Sequence, residues 1–238
     1  MVDSLINDLK KIGNKEKVFV FKRFFKTGKG EYGEGDRFLG ITVPEVRKVA
    51  KKYKNLTLKD LEKLLKNEFH ECRLCALMIL RFQYKISENK KELVDFYLKN
   101  TCYINNWDLV DLSCEYILGN WLSDKDRKIL YQLAKSKNLW ERRIAIVSTF
   151  EFIRHNQFAD TLKLSEILVN DNHDLIQKAV GWMLREVGKR DKKVLIDFLD
   201  KHHQKIPRIM LRYAIEKLDR EEKNKYTHLT LVCKSKAD

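Results

Sequence analysis

The chain has 238 residues, with 48 lysines and arginines against 34 aspartates and glutamates, so its formal net charge at pH 7 is +14. That length suffices for one large domain or a repeat array, and no apolar run is long enough for a transmembrane helix. The basic balance is typical of chains that meet polyanions, but lysine-rich proteomes produce it too. Charge alone therefore does not establish nucleic-acid binding.

The five cysteines are scattered and odd in number. This usage is typical of free thiols in a reducing compartment, and the first residues lack a signal-peptide pattern, so we expect a cytoplasmic protein. Cys72 and Cys75 form a CxxC, but the pair lies in a predicted helix and no second pair exists. We expect no metal site, since the six histidines also lack metal-ligand spacing.

An apolar period of three to four residues runs through nearly the whole chain, and no strand alternation interrupts it. The pattern predicts helices near residues 3–12, 15–26, 43–53, 58–66, 69–84, 88–99, 107–120, 124–135, 138–154, 158–169, 173–188, 191–202 and 207–218. Thr42, Thr57, Ser87 and Ser123 each precede a helical run and are predicted caps.

A sequence repeat with a period of 35 residues runs through Arg73, Asp108, Arg143, Lys178 and Tyr213. Each lies in a predicted helix, and a second helix separates it from the next. Stacked helix pairs of this period form an α-solenoid whose concave side is lined by one helix of each pair. The predicted fold is therefore all-α, an α-solenoid of helical repeats with a concave groove. It is expected to be one domain over residues 1–218, with a polar tail over 219–238.

The stretch from Asn106 to Asp111 contains the clearest functional pattern. Trp107 and Asp111 are four residues apart in a predicted helix, so an aromatic surface and a carboxylate share one face. Neither is required for the core contact of that helix, which is supplied by Val110, Cys114, Ile117 and Leu118. The alternative is that Trp107 packs in the core and Asp111 is a solvated first-turn acid.

A second pattern combines cationic and aromatic residues on later helices. Lys178, Trp182 and Arg185 form one stripe of a helix, and Arg142 and Arg143 lie one repeat earlier. Such interleaving suits phosphates together with bases or sugars, so it predicts a binding groove for nucleic acid. The alternatives are a solvated helix face for the cations and core packing for Trp182.

The glycine-rich segment Gly28–Arg37 superficially resembles a phosphate-binding loop. It lacks the Gly-Lys-Ser/Thr sequence, and no predicted strand precedes it, so no nucleotide cofactor is expected. We interpret it as a flexible connection between the second and third helices, close to the predicted groove.

Four stretches carry a family resemblance: Gly35–Ile41 with Pro44 and Arg47, Trp107–Asp111, Trp140–Arg143, and Ile176–Glu186. They resemble the AlkD-type DNA alkylation-repair proteins, which are HEAT-like repeat DNA glycosylases, and the resemblance covers residues 1–218. It implies a HEAT-like solenoid that holds duplex DNA in its groove. It also implies hydrolysis of the N-glycosidic bond of positively charged alkylated purines, such as 3-methyladenine and 7-methylguanine.

The resemblance also implies roles for individual residues. Asp111 matches the catalytic carboxylate, and Trp107 and Trp182 match the aromatic residues beside the lesion nucleotide. Arg143 matches a phosphate-contacting arginine, and Arg185 is expected to be the second. The chemistry fits, because a cationic alkylpurine is already a good leaving group, and one carboxylate can stabilise the oxocarbenium-like sugar and place a water.

Further expectations follow from the same resemblance. Where relatives carry a tyrosine in the second helix this chain has Phe24 or Phe25, and Phe24 is the expected DNA contact. The implied partner is double-stranded DNA containing alkylated purines. The protein is expected to be a monomer that needs neither metal nor cofactor and has no deep base-flipping pocket.

Two other function classes remain open. One is a non-catalytic HEAT-like module that binds DNA structures, and the other is a solenoid whose groove receives a peptide or a partner helix. Steep salt dependence of DNA affinity would exclude the protein-binding class. The effect of Asp111→Asn on base release would separate the enzyme from the non-catalytic module.

Overall fold

The computed structural model describes residues 1–232, with side chains described as far as Thr227, and the regular secondary structure of this range is helical. Its helices are α1 (Val2–Lys11), α2 (Lys15–Phe24), α3 (Val43–Lys52), α4 (Leu58–Leu65), α5 (His70–Ile86), α6 (Lys90–Lys99), α7 (Trp107–Asp111), α8 (Lys128–Leu133), α9 (Leu139–Ser148), α10 (Phe150–Arg154), α11 (Ala159–Leu168), α12 (Asp174–Gly188), α13 (Lys192–His202), α14 (Arg208–Ala214) and α15 (Arg220–Val232). Within these residues no strand forms beyond an isolated bridge between Arg37 and Phe69. The predicted all-α class is confirmed there, whereas the solenoid and its groove stay predictions.

The helices gather into two compact units, Met1–Trp121 and Leu122–Asp238, the second described as far as residue 232. The boundary falls within the range predicted as one domain. In neither unit is any described helix both long enough and apolar enough to cross a membrane.

Helix α5 is the centre of the first unit and packs against α1, α3, α4, α6 and α7. Every residue from His70 to Leu80 is buried, so this helix has no solvent face along its first three turns. Its charged residues therefore need partners inside the protein, because an unpaired buried charge is costly. Those partners form the site described below.

Helix α12 holds the equivalent central place in the second unit and packs against α9, α11, α13 and α14. Gly181 allows its close approach to α14. A Cβ atom at this position would lie 2.4 Å from the carbonyl oxygen of Met210. Glycine is thus required here by the spacing of two helices.

Two helices that the sequence predicts as continuous are interrupted. In the predicted helix over 107–120, the Ser113 hydroxyl donates to the carbonyl oxygen of Leu109 at 2.5 Å, and a π-helical turn follows over Glu115–Gly119. In the predicted helix over 138–154, the Thr149 hydroxyl donates to the carbonyl oxygen of Ile146 at 2.7 Å. Hydroxyl groups that bond to the preceding turn in this way bend or break helices.

The cap predictions hold at Thr42 and Thr57, which both form capping boxes, with Glu45 and Asp60 respectively. Thr42 fixes the start of α3, and this start lines the pocket described below. The capping box at Thr42, which is visible in the sequence, therefore helps to position one edge of the pocket.

The predicted starts at Ser87 and Ser123 are wrong. Helix α6 begins after Asn89, whose side chain caps it instead. Helix α8 begins only at Lys128, whose backbone N–H is bound by the Asp126 carboxylate at 2.8 Å. Asparagine and aspartate compete with serine as caps, and local sequence does not decide between them.

A recurrent hydrogen-bond pattern marks the sequence repeat. The side chains of Asn67, Ser136 and Asp171 each accept from the backbone N–H two residues later, and their carbonyl oxygens accept from Arg73, Arg142 and Gln177. Ser136 and Asp171 are 35 residues apart, which is one repeat. Asn67 and Ser136 are 69 residues apart, one residue fewer than two such repeats. The structural equivalent of Arg73 is therefore Arg142, and the predicted register is wrong by one residue at Arg143.

The segment predicted as a polar tail is helical over Arg220–Val232, and residues 233–238 lie outside the described range. Tyr226 is 1% exposed, and its hydroxyl donates to the Asp200 carboxylate at 2.8 Å. This buried aromatic residue anchors the helix within the second unit.

Candidate active site

A pocket of about 470 Å³ opens in the first unit, beside the helix that carries the predicted catalytic pair. Trp107 and Asp111 both line it, as expected from their spacing on one helical face. The rest of the wall is mostly apolar, and its lining includes Phe21, Phe24, Phe25, Ile41, Pro44 and Leu74. The cavity is a half-open cleft of moderate size, and the absence of a deep base-flipping pocket, which the resemblance implies, stays a prediction.

Aromatic rings form one wall of the pocket. Trp107 stacks on Phe25 with ring centroids 5.3 Å apart, and Phe24 meets Trp107 edge-on at 5.6 Å. Phe25 is buried, whereas Phe24 is 61% exposed. Phe24 is therefore a ring of the pocket wall that solvent and a large ligand can reach, and its role as a DNA contact stays a prediction.

Asp111 ends helix α7 and is half-buried at the pocket wall. Helix α7 has only five residues, too short to be stable by itself, so its position depends on contacts with the rest of the unit. Its N-cap, Asn106, is fully buried and accepts from the backbone N–H of Trp107 at 2.8 Å.

A buried network of charged groups lies directly behind α7. His70 Nε2 is 2.8 Å from the Asp108 carboxylate, and His70 Nδ1 is 3.5 Å from the Asp36 carboxylate. Arg73 donates to Asp36 at 2.6 Å. All four side chains are at most 8% exposed. Two carboxylates, one guanidinium and a protonated imidazole balance to zero net charge.

The electrostatics of the network follow from this arrangement. Burial alone would lower the pKa of His70, but the charge of Asp108, its hydrogen bond to the ring and the Asp36 carboxylate 3.5 Å away raise it to about 9. Burial alone would raise the pKa of Asp36, but the nearby His70 ring and the charge of Arg73 hold it below its usual value. His70 is therefore charged at neutral pH.

Asp36 also connects the glycine-rich segment to α7. Its carboxylate accepts from the side-chain amides of Asn105 at 3.0 Å and Asn106 at 3.3 Å. The segment is tied further by its own contacts, since the Gly30 backbone N–H donates to Glu34 at 2.8 Å. The interpretation of this segment as a flexible connection is thus wrong at its Asp36 end, which is buried and fixed.

Glu71 shapes the opposite edge of the pocket. Its carboxylate accepts three backbone N–H groups, from Leu39 at 2.9 Å, Gly40 at 2.8 Å and Ile41 at 3.1 Å. Gly40 has a φ of +80°, and a Cβ there would lie 2.1 Å from the carbonyl oxygen of Asn14. Glu71 and Gly40 together fix the chain just before Thr42 and the start of α3.

Sequence patterns do not identify Asp36, His70, Glu71 and Asp108 as members of this site. All are buried charged or polar residues whose partners are 30 or more residues away, so no local spacing marks them.

The predicted phosphate contacts lie in the second unit, and most are engaged within the protein. Arg142 pairs with Asp171 at 2.6 Å, Lys178 pairs with Asp174 at 2.6 Å, and Arg185 pairs with Glu216. Trp182 is half-buried and tilts against Phe150 at 5.7 Å. The structure leaves these side chains partly exposed, and their role stays a prediction.

Arg143 differs from its neighbours. It is 6% exposed, and its guanidinium donates to the carbonyl oxygen of Leu175 at 2.6 Å. A phosphate contact by Arg143, as the resemblance implies, does not agree with this burial. Arg143 instead connects α9 to the second residue of α12.

The chain matches a protein-family model and is similar to a solved structure. The family described as DNA alkylation repair enzyme matches residues 5–218. A solved structure, a predicted DNA alkylation repair enzyme from Enterococcus faecalis, has a TM-score of 0.68 and 18% identity over 87% of this chain and 97% of that chain. At that identity the likeness shows the fold alone. None of the curated proteins compared with the chain matches it.

The family match begins within α1, ends a few residues after α14 and includes Trp107, Asp111 and Trp182. It covers far more than half of the chain. The protein therefore belongs to the DNA alkylation repair enzyme family.

Proposed function

We propose that this protein is an alkylpurine DNA glycosylase, which hydrolyses the N-glycosidic bond of positively charged alkylated purines in duplex DNA. The observation that carries the proposal is the placement of Trp107 and Asp111 in one aromatic pocket of the first unit. Family membership supports a role in alkylation repair. The purine specificity rests on the resemblance and on the chemistry of the pocket.

The chemistry requires little of the protein. A purine alkylated at N3 or N7 leaves as a neutral base, so no general acid has to protonate it. Asp111 stabilises the oxocarbenium-like sugar and orients the attacking water, the two roles that a carboxylate has in glycoside hydrolysis. The faces of Trp107 and Phe24 add cation–π attraction of about 0.5–2 kcal/mol each. The proposal needs neither a metal nor a cofactor.

The proposed partner is double-stranded DNA that contains alkylated purines, bound by a monomer. The net charge of +14 supports attraction to a polyanion. In the second unit, Arg142, Lys178, Trp182 and Arg185 are the proposed contacts. Each cation already pairs with a carboxylate, so DNA phosphates have to replace those carboxylates as partners.

The test is release of free 7-methylguanine from a methylated duplex under single-turnover conditions. Asp111→Asn keeps the shape of the side chain and removes its charge, so we expect base release to fall by roughly a hundredfold or more. Duplex affinity should stay similar or become tighter, because a carboxylate near phosphate is removed.

The matched control is Asp95→Asn, since Asp95 is an exposed carboxylate of the same unit that pairs with Lys91. We expect Asp95→Asn to release base at the wild-type rate. Near-wild-type release by Asp111→Asn would refute the assigned mechanism. No release by the wild type, with duplex binding intact, would favour the non-catalytic DNA-binding alternative.

A further inference from the structure

The short helix α7 carries both proposed active-site residues, and polar groups at its start bond to the buried network. Asp108, its second residue, bonds to His70 at 2.8 Å. Its N-cap Asn106 and the preceding Asn105 bond to Asp36. The His70 ring lies between the carboxylates of Asp36 and Asp108. One side chain of α5 therefore contacts α7 directly through Asp108 and indirectly through Asp36, which binds Asn105 and Asn106.

His70 also borders the pocket itself. Its ring stacks on Phe38 at 4.7 Å and tilts against Phe25 at 5.1 Å, and Phe25 in turn stacks on Trp107. The imidazole thus contacts Asp108, which lies on the same helix as Asp111, and Phe25, on which Trp107 stacks. At 2% exposure of its side chain, it is not placed to contact DNA directly.

We propose that His70, in its protonated form, is a positioning residue that holds α7 and thereby keeps Asp111 and Trp107 in their places at the pocket. This inference rests on the proposed function for its catalytic part, but its structural part is independent of any activity. The charged groups that face His70 are Asp108 from α7, Asp36 from the segment before α3, and Arg73 from its own helix.

The charge count explains why the proton matters. With His70 protonated, the two carboxylates and two cations balance. With His70 neutral, one buried negative charge is left uncompensated between α5 and α7, and only one of the two ring nitrogens that face carboxylates still carries a proton. Since the pKa of His70 is raised to about 9, its charge is present at neutral pH and is lost as the pH rises through that value.

The first test follows hydrogen exchange of α7 amides by mass spectrometry, without DNA. We expect His70→Gln to lower protection in peptides that cover residues 105–112 while α12 stays unchanged. The matched control is His202→Gln, since His202 is a poorly exposed histidine of the second unit that pairs with Glu166. Unchanged protection of α7 in His70→Gln would overturn the inference, whatever the activity.

The second test measures single-turnover base release. We expect His70→Gln to slow release roughly tenfold to a hundredfold while the duplex Kd stays within about twofold. In the Asp111→Asn background the same substitution should change nothing further, because a positioning residue acts through the group that it positions. Equal slowing in both backgrounds, or a weakened Kd alone, would contradict the inference.

A wild-type measurement tests the inference even if His70→Gln does not fold, and one combination of results separates the inference from the proposed function. In the wild type, protection factors of α7 should fall as the pH rises through about 9, and pH-independent protection would contradict the inference. If α7 loosens in His70→Gln but the wild type releases no base, the hold of His70 on α7 is supported and the proposed glycosylase function is refuted.

Discussion

At the scale of single residues, sequence patterns identify side chains that a ligand can reach. They do not identify the buried side chains that keep those residues in position. Trp107 and Asp111 share a helical face, and spacing alone places them together. Glu71 and His70 lie in a buried helix whose sequence looks like an ordinary core with charges in it. Their importance depends on partners across the fold, and no single-sequence pattern records these.

Glu71 gives a direct test at this scale. Glu71→Gln replaces a carboxylate that accepts three backbone N–H groups by an amide with one acceptor oxygen and one donor group. We expect the free energy of unfolding, measured in urea, to fall by about 2–4 kcal/mol. The control Glu68→Gln, at an exposed ion pair with Arg37, should change it by less than about 1 kcal/mol. Equal effects of both substitutions would contradict the assigned role of Glu71.

At the scale of secondary structure, apolar periodicity predicts nearly every helix of the described chain, and the errors fall at helix breaks, at helix starts and at α15, which lies in the predicted tail. Helix α7 ends where Ser113 and its neighbours turn back onto the preceding carbonyl groups. Serine is tolerated within many helices, so its presence at position 113 gave no warning. The break matters for function, since it leaves Asp111 at the end of a five-residue helix.

Ser113 also bonds to Tyr97, with 3.1 Å between their hydroxyl oxygens and both side chains fully buried. Because the Ser113 hydroxyl donates to Leu109, the Tyr97 hydroxyl is the donor in this pair. Ser113→Ala leaves a buried phenol unpaired, and we expect it to cost about 1–3 kcal/mol in the free energy of unfolding. Combined with Tyr97→Phe, the total cost should be less than the sum of the single costs by about 1 kcal/mol. Additive costs would show that the two hydroxyls are not coupled.

At the scale of the whole molecule, the net charge of +14 predicts attraction to DNA but does not identify the residues that contact it. The resemblance assigned a phosphate to Arg143, and the structure buries that side chain against Leu175. The repeat register predicted from the sequence is also one residue off at this point, since the recurrent hydrogen bonds involve Arg73, Arg142 and Gln177. A sequence repeat is thus easier to detect than to align.

Salt dependence tests the DNA-binding proposal at this scale. A protein that neutralises about six phosphates should lose on the order of a thousandfold in duplex affinity between about 50 and 200 mM salt. Lys178→Ala should flatten the slope by about one unit, because Lys178 is partly exposed. Arg143→Ala should lower the stability and leave the slope unchanged. A flattened slope in Arg143→Ala alone would restore the phosphate role that the resemblance implies.

The central claim is that the Asp111 carboxylate, in the aromatic pocket of the first unit, catalyses hydrolysis of the N-glycosidic bond between the sugar and an alkylated purine. The most direct measurement is release of free 7-methylguanine from a methylated duplex by the wild type and by Asp111→Asn. The account predicts release by the wild type that is nearly lost in the variant, with duplex binding retained by both. Equal release by both proteins, or binding without release by either, would contradict it.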